Sequence, residues 1–159
     1  MDANAAVVIR RAAATDLPAV LALYREVGDH ETVPVDRARK VLARMRSYPD
    51  YDLYVAVSGG EIVGTFALLI MDNLAHLGAP SGVVEDVVVR RDWQRRGVGR
   101  RMMQWALDRC RARGCYKLAL SSSRQRRAAH RFYAALGMQQ HGFSFLMKLA
   151  KPRPIRPST

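Results

Sequence analysis

Residues 83–103, VVEDVVVRRDWQRRGVGRRMM, constrain this chain more than any other stretch. The segment opens as a Val-rich apolar run interrupted only by Glu85 and Asp86, turns through Arg90 to Trp93, and enters a helix across Gln94-Arg95-Arg96-Gly97-Val98-Gly99-Arg100. That pattern is a strand, a short loop and a helix with a glycine-rich, basic first turn. A helix N-terminus carries N–H groups without intrahelical partners and a partial positive charge. Both features favour a phosphate. Gly97 and Gly99 lack a Cβ, so an anion can approach the backbone, and Arg95, Arg96 and Arg100 surround the same turn.

Two other phosphate motifs do not fit. A dinucleotide fingerprint needs a third glycine three residues after the second, and Met102 stands there. A P-loop needs Gly-x-x-x-x-Gly-Lys-Ser/Thr, and no such run exists.

Length and charge narrow the class. The 159 residues fit one domain, expected over 1–150, with a proline-rich tail at 151–159 expected to be disordered. No apolar run approaches the roughly 20 residues that cross a membrane. No secretory leader is evident, and Cys110 and Cys115 read as reduced thiols, so the cytoplasm is the expected compartment. The net charge of +12 is spread over several segments without a basic helix bearing stacking aromatics, so no nucleic acid is expected. Neither a membrane partner nor a metal is expected, and a homodimer is left open.

Periodicity gives the element order β-α-α-β-β-β-α-β-α-β-β, an α+β chain. Strands are expected at 6–10, 51–57, 62–71, 83–89, 116–122, 138–140 and 143–149. Helices are expected at 16–27 with Thr15 as N-cap and Gly28 as stop, 36–46, 96–113 and 126–136 with Gly137 as cap. Gly64 is expected to mark a bulge. Val98, Met102, Trp105, Ala106 and Arg109 form the expected stripe of the third helix.

The run Gln94-Arg95-Arg96-Gly97-Val98-Gly99, the Val-rich strand before it, and Phe132-Tyr133 followed by Leu136-Gly137-Met138 together resemble the GCN5-related N-acetyltransferases, the GNAT superfamily. The resemblance is specific over 82–149 and rests on element order before that. It implies a mixed, mostly antiparallel sheet flanked by about four helices, with the parallel strands at 83–89 and 116–122 splayed apart. It implies acetyl-CoA as donor, with its pyrophosphate held by Gln94, Arg95, Arg96, Gly97, Val98, Gly99 and Arg100. Its pantetheine arm would lie along Val87, Val88 and Val89. Glu85-Asp86-Val87 and Gly114-Cys115-Tyr116-Lys117 look like the glucosamine-6-phosphate N-acetyltransferase branch, which places an amino sugar among the implied acceptors.

Acetyl transfer to an amine needs a base for the amine, stabilisation of the carbonyl oxygen and an acid for the thiolate. The resemblance makes Tyr133 the acid, and the alternative is a packed core tyrosine. Glu85 is the candidate base, since a carboxylate in an apolar strand is unusual, and the alternative is a structural ion pair. Strand alternation turns Glu85 and Asp86 to opposite faces unless a bulge intervenes. His30, Glu31, Asp86 and His141 are further candidates for the acceptor site. His130, like His141, is a candidate for a catalytic or substrate role near the cleft, the alternative for both being a surface or packing residue. Arg126 stands where the family often has Asn, and is expected to reach a CoA phosphate instead. Ser121, Ser122 and Ser123 replace acidic residues that sometimes end the preceding strand. The reading is therefore an N-acetyltransferase for a small-molecule primary amine. Its rivals are a peptide N-acetyltransferase, a non-catalytic acyl-CoA-binding module and a basic nucleic-acid-binding protein.

Overall fold

Two long apolar runs, 51–58 and 61–71, are joined by Gly59-Gly60 at φ +56° and +83°, a turn that glycine adopts without a steric cost. They form the antiparallel hairpin β2 (Tyr51–Ser58) and β3 (Glu61–Met71) at the centre of the sheet. The computed structural model describes residues 6–27, 31–147 and 149. They divide into two compact units, 1–120 and 121–159. His30, Gly28 and the tail at 151–159 lie outside the described residues.

The first unit holds a five-stranded sheet in the order β1-β2-β3-β4-β5. β1 is Val8–Arg11, β4 is Ser81–Val89 and β5 is Lys117–Ala119. All neighbours are antiparallel except β4 and β5. The helices are α1 (Leu17–Val27), α2 (Val35–Ser47) and α3 (Val98–Ala112). β2 and β3 are buried on both faces, which is why they read as continuous apolar runs. Leu53, Val55 and Ala67 pack with Leu17, Val20 and Leu21 of α1 and Leu42 of α2. Each buried Val or Leu side chain among these stabilises the fold by about 1.5–3 kcal/mol. On the opposite face Tyr54, Phe66 and Trp105 form an aromatic cluster, with ring centroids 4.5–6.1 Å apart.

α1 starts differently from the expectation. Ala14–Asp16 forms a 3-10 turn, and Asp16, not Thr15, supplies the capping oxygen. Its carboxylate accepts the Ala13 N–H at 2.6 Å and two Arg10 bonds at 2.6 and 3.0 Å. The Arg10 guanidinium holds this carboxyl below the usual carboxylate range. On α3 the buried positions are Val98, Met102, Met103, Ala106 and Cys110; Arg109 is exposed, because Cys110 takes the inward place. Cys110 and Cys115 are free thiols.

Gly64 does sit beside a bulge. The pairing steps from Ala56–Gly64 to Val57–Ile62, leaving Val63 extra. A Cβ on Gly64 would lie 2.7 Å from the Met102 sulfur and 3.2 Å from the Val88 carbonyl oxygen. Met102 is fully buried, so moving its sulfur disturbs the packing around it, and the Val88 oxygen is backbone that cannot swing away. Gly64→Ala is expected to destabilise the protein by about 1–3 kcal/mol, read as a lower denaturant midpoint at unchanged slope.

β4 and β5 pair only through Ser81–Lys117, Gly82–Leu118 and Val83–Ala119. Beyond Val83, β4 runs on to Val89 with no sheet partner on that side among the described residues. This is the expected splay, and it makes β5 shorter than the 116–122 read from the sequence.

The second unit contains α4, Arg127–Ala135, ended by Gly137 at φ +84°. The closing strands expected at 138–140 and 143–149 do not form among the described residues. Phe143, Phe145, Leu146 and Met147 are exposed. The run Phe145-Leu146-Met147 breaks alternation, and strand periodicity yields a strand only where an edge is present to pair with it.

Candidate active site

The turn after β4 is built to be open. Arg91–Trp93 forms a 3-10 turn, and the Gln94 side-chain amide folds back to donate to the Val89 carbonyl at 3.1 Å. Arg95 at φ +61° and Gly97 at φ +80° then reverse the chain into α3. Those left-handed residues cannot belong to a right-handed helix, so α3 begins at Val98 rather than at 96. The first intrahelical bond runs from Arg101 N–H to Gly97 O at 3.0 Å, so the N–H groups of 98–100 precede it. A Cβ on Gly97 would meet nothing within 4 Å. The Arg96 guanidinium stands 5.5 Å over the Trp93 ring. Arg95, Arg96 and Arg100 are exposed and form no ion pair among the described residues. Arg90, by contrast, is engaged by Glu61 at 3.0 Å and Asp92 at 2.8 Å, and Glu26 accepts the Arg91 N–H at 3.1 Å. These contacts fasten the loop.

β4 itself carries a second bulge. Ala67 pairs with Glu85 and Thr65 with Val88, so one residue of β3 faces two of β4, Asp86 and Val87. Asp86 takes φ +51°, a left-handed conformation that Asp tolerates better than most residues. The bulge cancels the alternation expected from the sequence. Pairing with Ala67 puts Glu85 on the α1–α2 face, and Asp86 lines a cavity of about 370 Å³ on that same face. Partial burial, and then the neighbouring Asp86 charge, raise the Glu85 pKa above the ordinary carboxylate value.

Tyr24 and Tyr51 line the same cavity, as does Glu31. Thr65 donates its hydroxyl to the Tyr54 carbonyl at 2.9 Å, and its side chain is also hydrogen-bonded to Tyr24. Burial, then Asp86, push the Tyr24 phenol upward, and the same two causes act on Tyr51. Sequence reasoning passed over these tyrosines, because Tyr24 reads as one more apolar-face residue of α1. The Thr65 partner that fixes its hydroxyl is far away in the chain.

Within the second unit, Tyr133 is half-buried and its ring lies 5.2 Å from Phe132. Burial raises its pKa, opposed by the Arg126 charge, so the phenol keeps its proton at neutral pH. Arg126 is the N-cap residue of α4. His130 Nε2 lies 2.9 Å from the Ser123 carbonyl, a contact within its own unit, and His141 is exposed.

The family model described as "Acetyltransferase (GNAT) family" matches residues 17–138. The chain belongs to the GNAT acetyltransferase family. It is 29% identical over 141 residues to an aminoalkylphosphonate N-acetyltransferase of Salmonella typhimurium, covering 89% of this chain and 90% of that protein. It is 34% identical over 82 residues to a glucosamine 6-phosphate N-acetyltransferase of Trypanosoma brucei brucei, covering 52% of this chain and 54% of that protein. Among solved structures, a putative acetyltransferase from Agrobacterium tumefaciens superposes with TM-score 0.83 at 31% identity, covering 89% of this chain and 99% of that one.

GNAT acetyltransferases use acetyl-CoA as donor, and the residues present suit it. The turn at 95–100 offers an open glycine, helix-start N–H groups and three exposed arginines, which is the donor set a pyrophosphate needs. The side of β4 from Val84 to Val89 that has no strand partner among the described residues offers backbone groups to an amide-bearing arm, with the Val89 carbonyl already accepting from Gln94.

Proposed function

We propose that this GNAT acetyltransferase moves the acetyl group of acetyl-CoA directly to the primary amine of a small molecule. The observation that carries the reading is the open Gly97 turn at one end of an unpaired β4 edge that bears two carboxylates on one face. The named relatives act on an aminoalkylphosphonate and on glucosamine 6-phosphate, both small amines, which supports an amine acceptor here, an amino sugar included. The cavity beside Asp86 has the size of a small-molecule site rather than a peptide groove.

The roles follow from the chemistry of acetyl transfer and, for Tyr133 and the backbone of Val87 and Val89, from the family resemblance. Arg95, Arg96, Arg100 and the N–H groups of 98–100 hold the pyrophosphate. The backbone of Val87 and Val89 holds the pantetheine arm. Glu85 takes a proton from the acceptor ammonium, directly or through one water, and the freed nitrogen lone pair attacks the acetyl carbonyl carbon. The C–N bond forms, the C–S bond breaks, and Tyr133 donates its proton to the departing thiolate. The second proton that the nitrogen loses as the amide forms returns to the Tyr133 oxygen through water, and Glu85 releases its own proton to solvent. Asp86 holds the ammonium near Glu85. No enzyme-bound acetyl group is needed.

The pH dependence tests the base. Glu85 works deprotonated, so kcat/KM rises with pH through its raised pKa. Glu85→Gln should flatten that rise and lower kcat/KM. Asp86→Asn removes a like charge, so it should move the rise to lower pH while raising the amine KM. A flattened profile in Asp86→Asn with an unaltered one in Glu85→Gln would assign the base to Asp86 instead.

A further inference from the structure

The cavity between α1, α2 and the sheet has a chemistry of its own. Val41 and Met45 give it aliphatic walls, and Tyr24 and Tyr51 add aromatic faces. Both of its charged lining residues are carboxylates, Glu31 and Asp86, and no Lys, Arg or His lines it among the described residues. In a chain of net charge +12 this is a pronounced local reversal. A phosphate placed there would meet like charge, no cation among the described residues, and a wall that cannot replace its water. An ammonium group meets the opposite: the Asp86 carboxylate that attracts it and aromatic faces that favour a cation. An apolar body attached to that ammonium would displace water from the aliphatic wall.

We infer, building on the acetyl-transfer reading, that the acceptor is a primary amine carried on an apolar or aromatic body, without a phosphate, phosphonate or carboxylate group. The ammonium sits at the Asp86 end, beside Glu85, and the body lies against α1 and α2. This separates the chain from the relatives whose named acceptors carry phosphorus groups.

The test uses the full chain with acetyl-CoA and three acceptors: 2-phenylethylamine, 2-aminoethylphosphonate and glucosamine 6-phosphate. Thiol release and the mass of the acetylated amine are followed together. We expect kcat/KM for 2-phenylethylamine to exceed that for either phosphorus compound by about 100-fold, the order that pocket complementarity supplies. A preference for either phosphorus compound overturns the inference. If none of the three is acetylated, calorimetry on the CoA-loaded protein separates the two claims. Binding of 2-phenylethylamine that weakens in Asp86→Asn, with no binding of the phosphonate, upholds the acceptor class and counts against transfer. Absence of amine binding, or tighter phosphonate binding, overturns the class.

Discussion

Gly97→Val is expected to remove measurable acetyl-CoA binding from a protein that still folds. Gly97 adopts φ +80°, and nothing stands within 4 Å of where its Cβ would be. The added Cβ therefore meets no part of the protein, and in the proposed site the side chain would enter the space through which a phosphate reaches the N–H groups of 98–100. A β-branched residue also resists positive φ, so the turn itself is pushed out of shape. Losing two charge-assisted bonds of about 1.5–3 kcal/mol each lowers affinity by roughly 10²–10⁴-fold. Calorimetry checks this, with circular dichroism and the thermal midpoint showing that the fold persists. Undiminished affinity in a folded variant would move the pyrophosphate elsewhere.

Tyr133→Phe is expected to lower kcat by about 10²–10⁴-fold while leaving acetyl-CoA affinity nearly unchanged. The hydroxyl is asked to act only as negative charge develops on sulfur, which is a transition-state contribution. Burial raises its pKa and so keeps the proton in place through the neutral range. Consequently no alkaline loss of kcat due to this group should appear below the ordinary phenol value of about 10. Pre-steady-state thiol release measures the chemical step separately from product release. An unchanged chemical rate in Tyr133→Phe would remove it from the acid role and leave it as a packing residue against Phe132.

Much of the frame was legible because it is local. Gly59-Gly60, Gly97 and Gly137 each stand where the backbone takes positive φ, and the sequence marks them directly. The 3.6-residue spacing of Leu17, Val20 and Leu21 located α1, and the Val-rich run located β4. What was not legible depends on pairing between distant segments. Asp86 has ordinary strand neighbours, and only the register of β3 against β4 shows that it is an extra residue. That one bulge changes the site, because it places two carboxylates on one face where alternation allows one. The short β5 has the same origin: its pairing with β4 ends at Val83–Ala119, so Leu120 has no partner on that strand among the described residues. Likewise Phe143–Met147 has apolar content and no ladder, so its side chains remain exposed. The Thr65–Tyr24 bond joins β3 to α1 across forty-one positions, a separation that no sequence window contains.

Direct acetyl transfer is tested most plainly by product stoichiometry. The full chain is mixed with acetyl-CoA and a panel of primary amines, and free CoA thiol is counted against N-acetylated amine by mass spectrometry. The account predicts equal amounts of the two products with at least one amine, and neither above background in Gly97→Val. Acetyl-CoA that binds the Gly97 turn but yields no acetylated amine from any class would contradict it, and would leave the chain as a binder of acyl-CoA rather than a transferase.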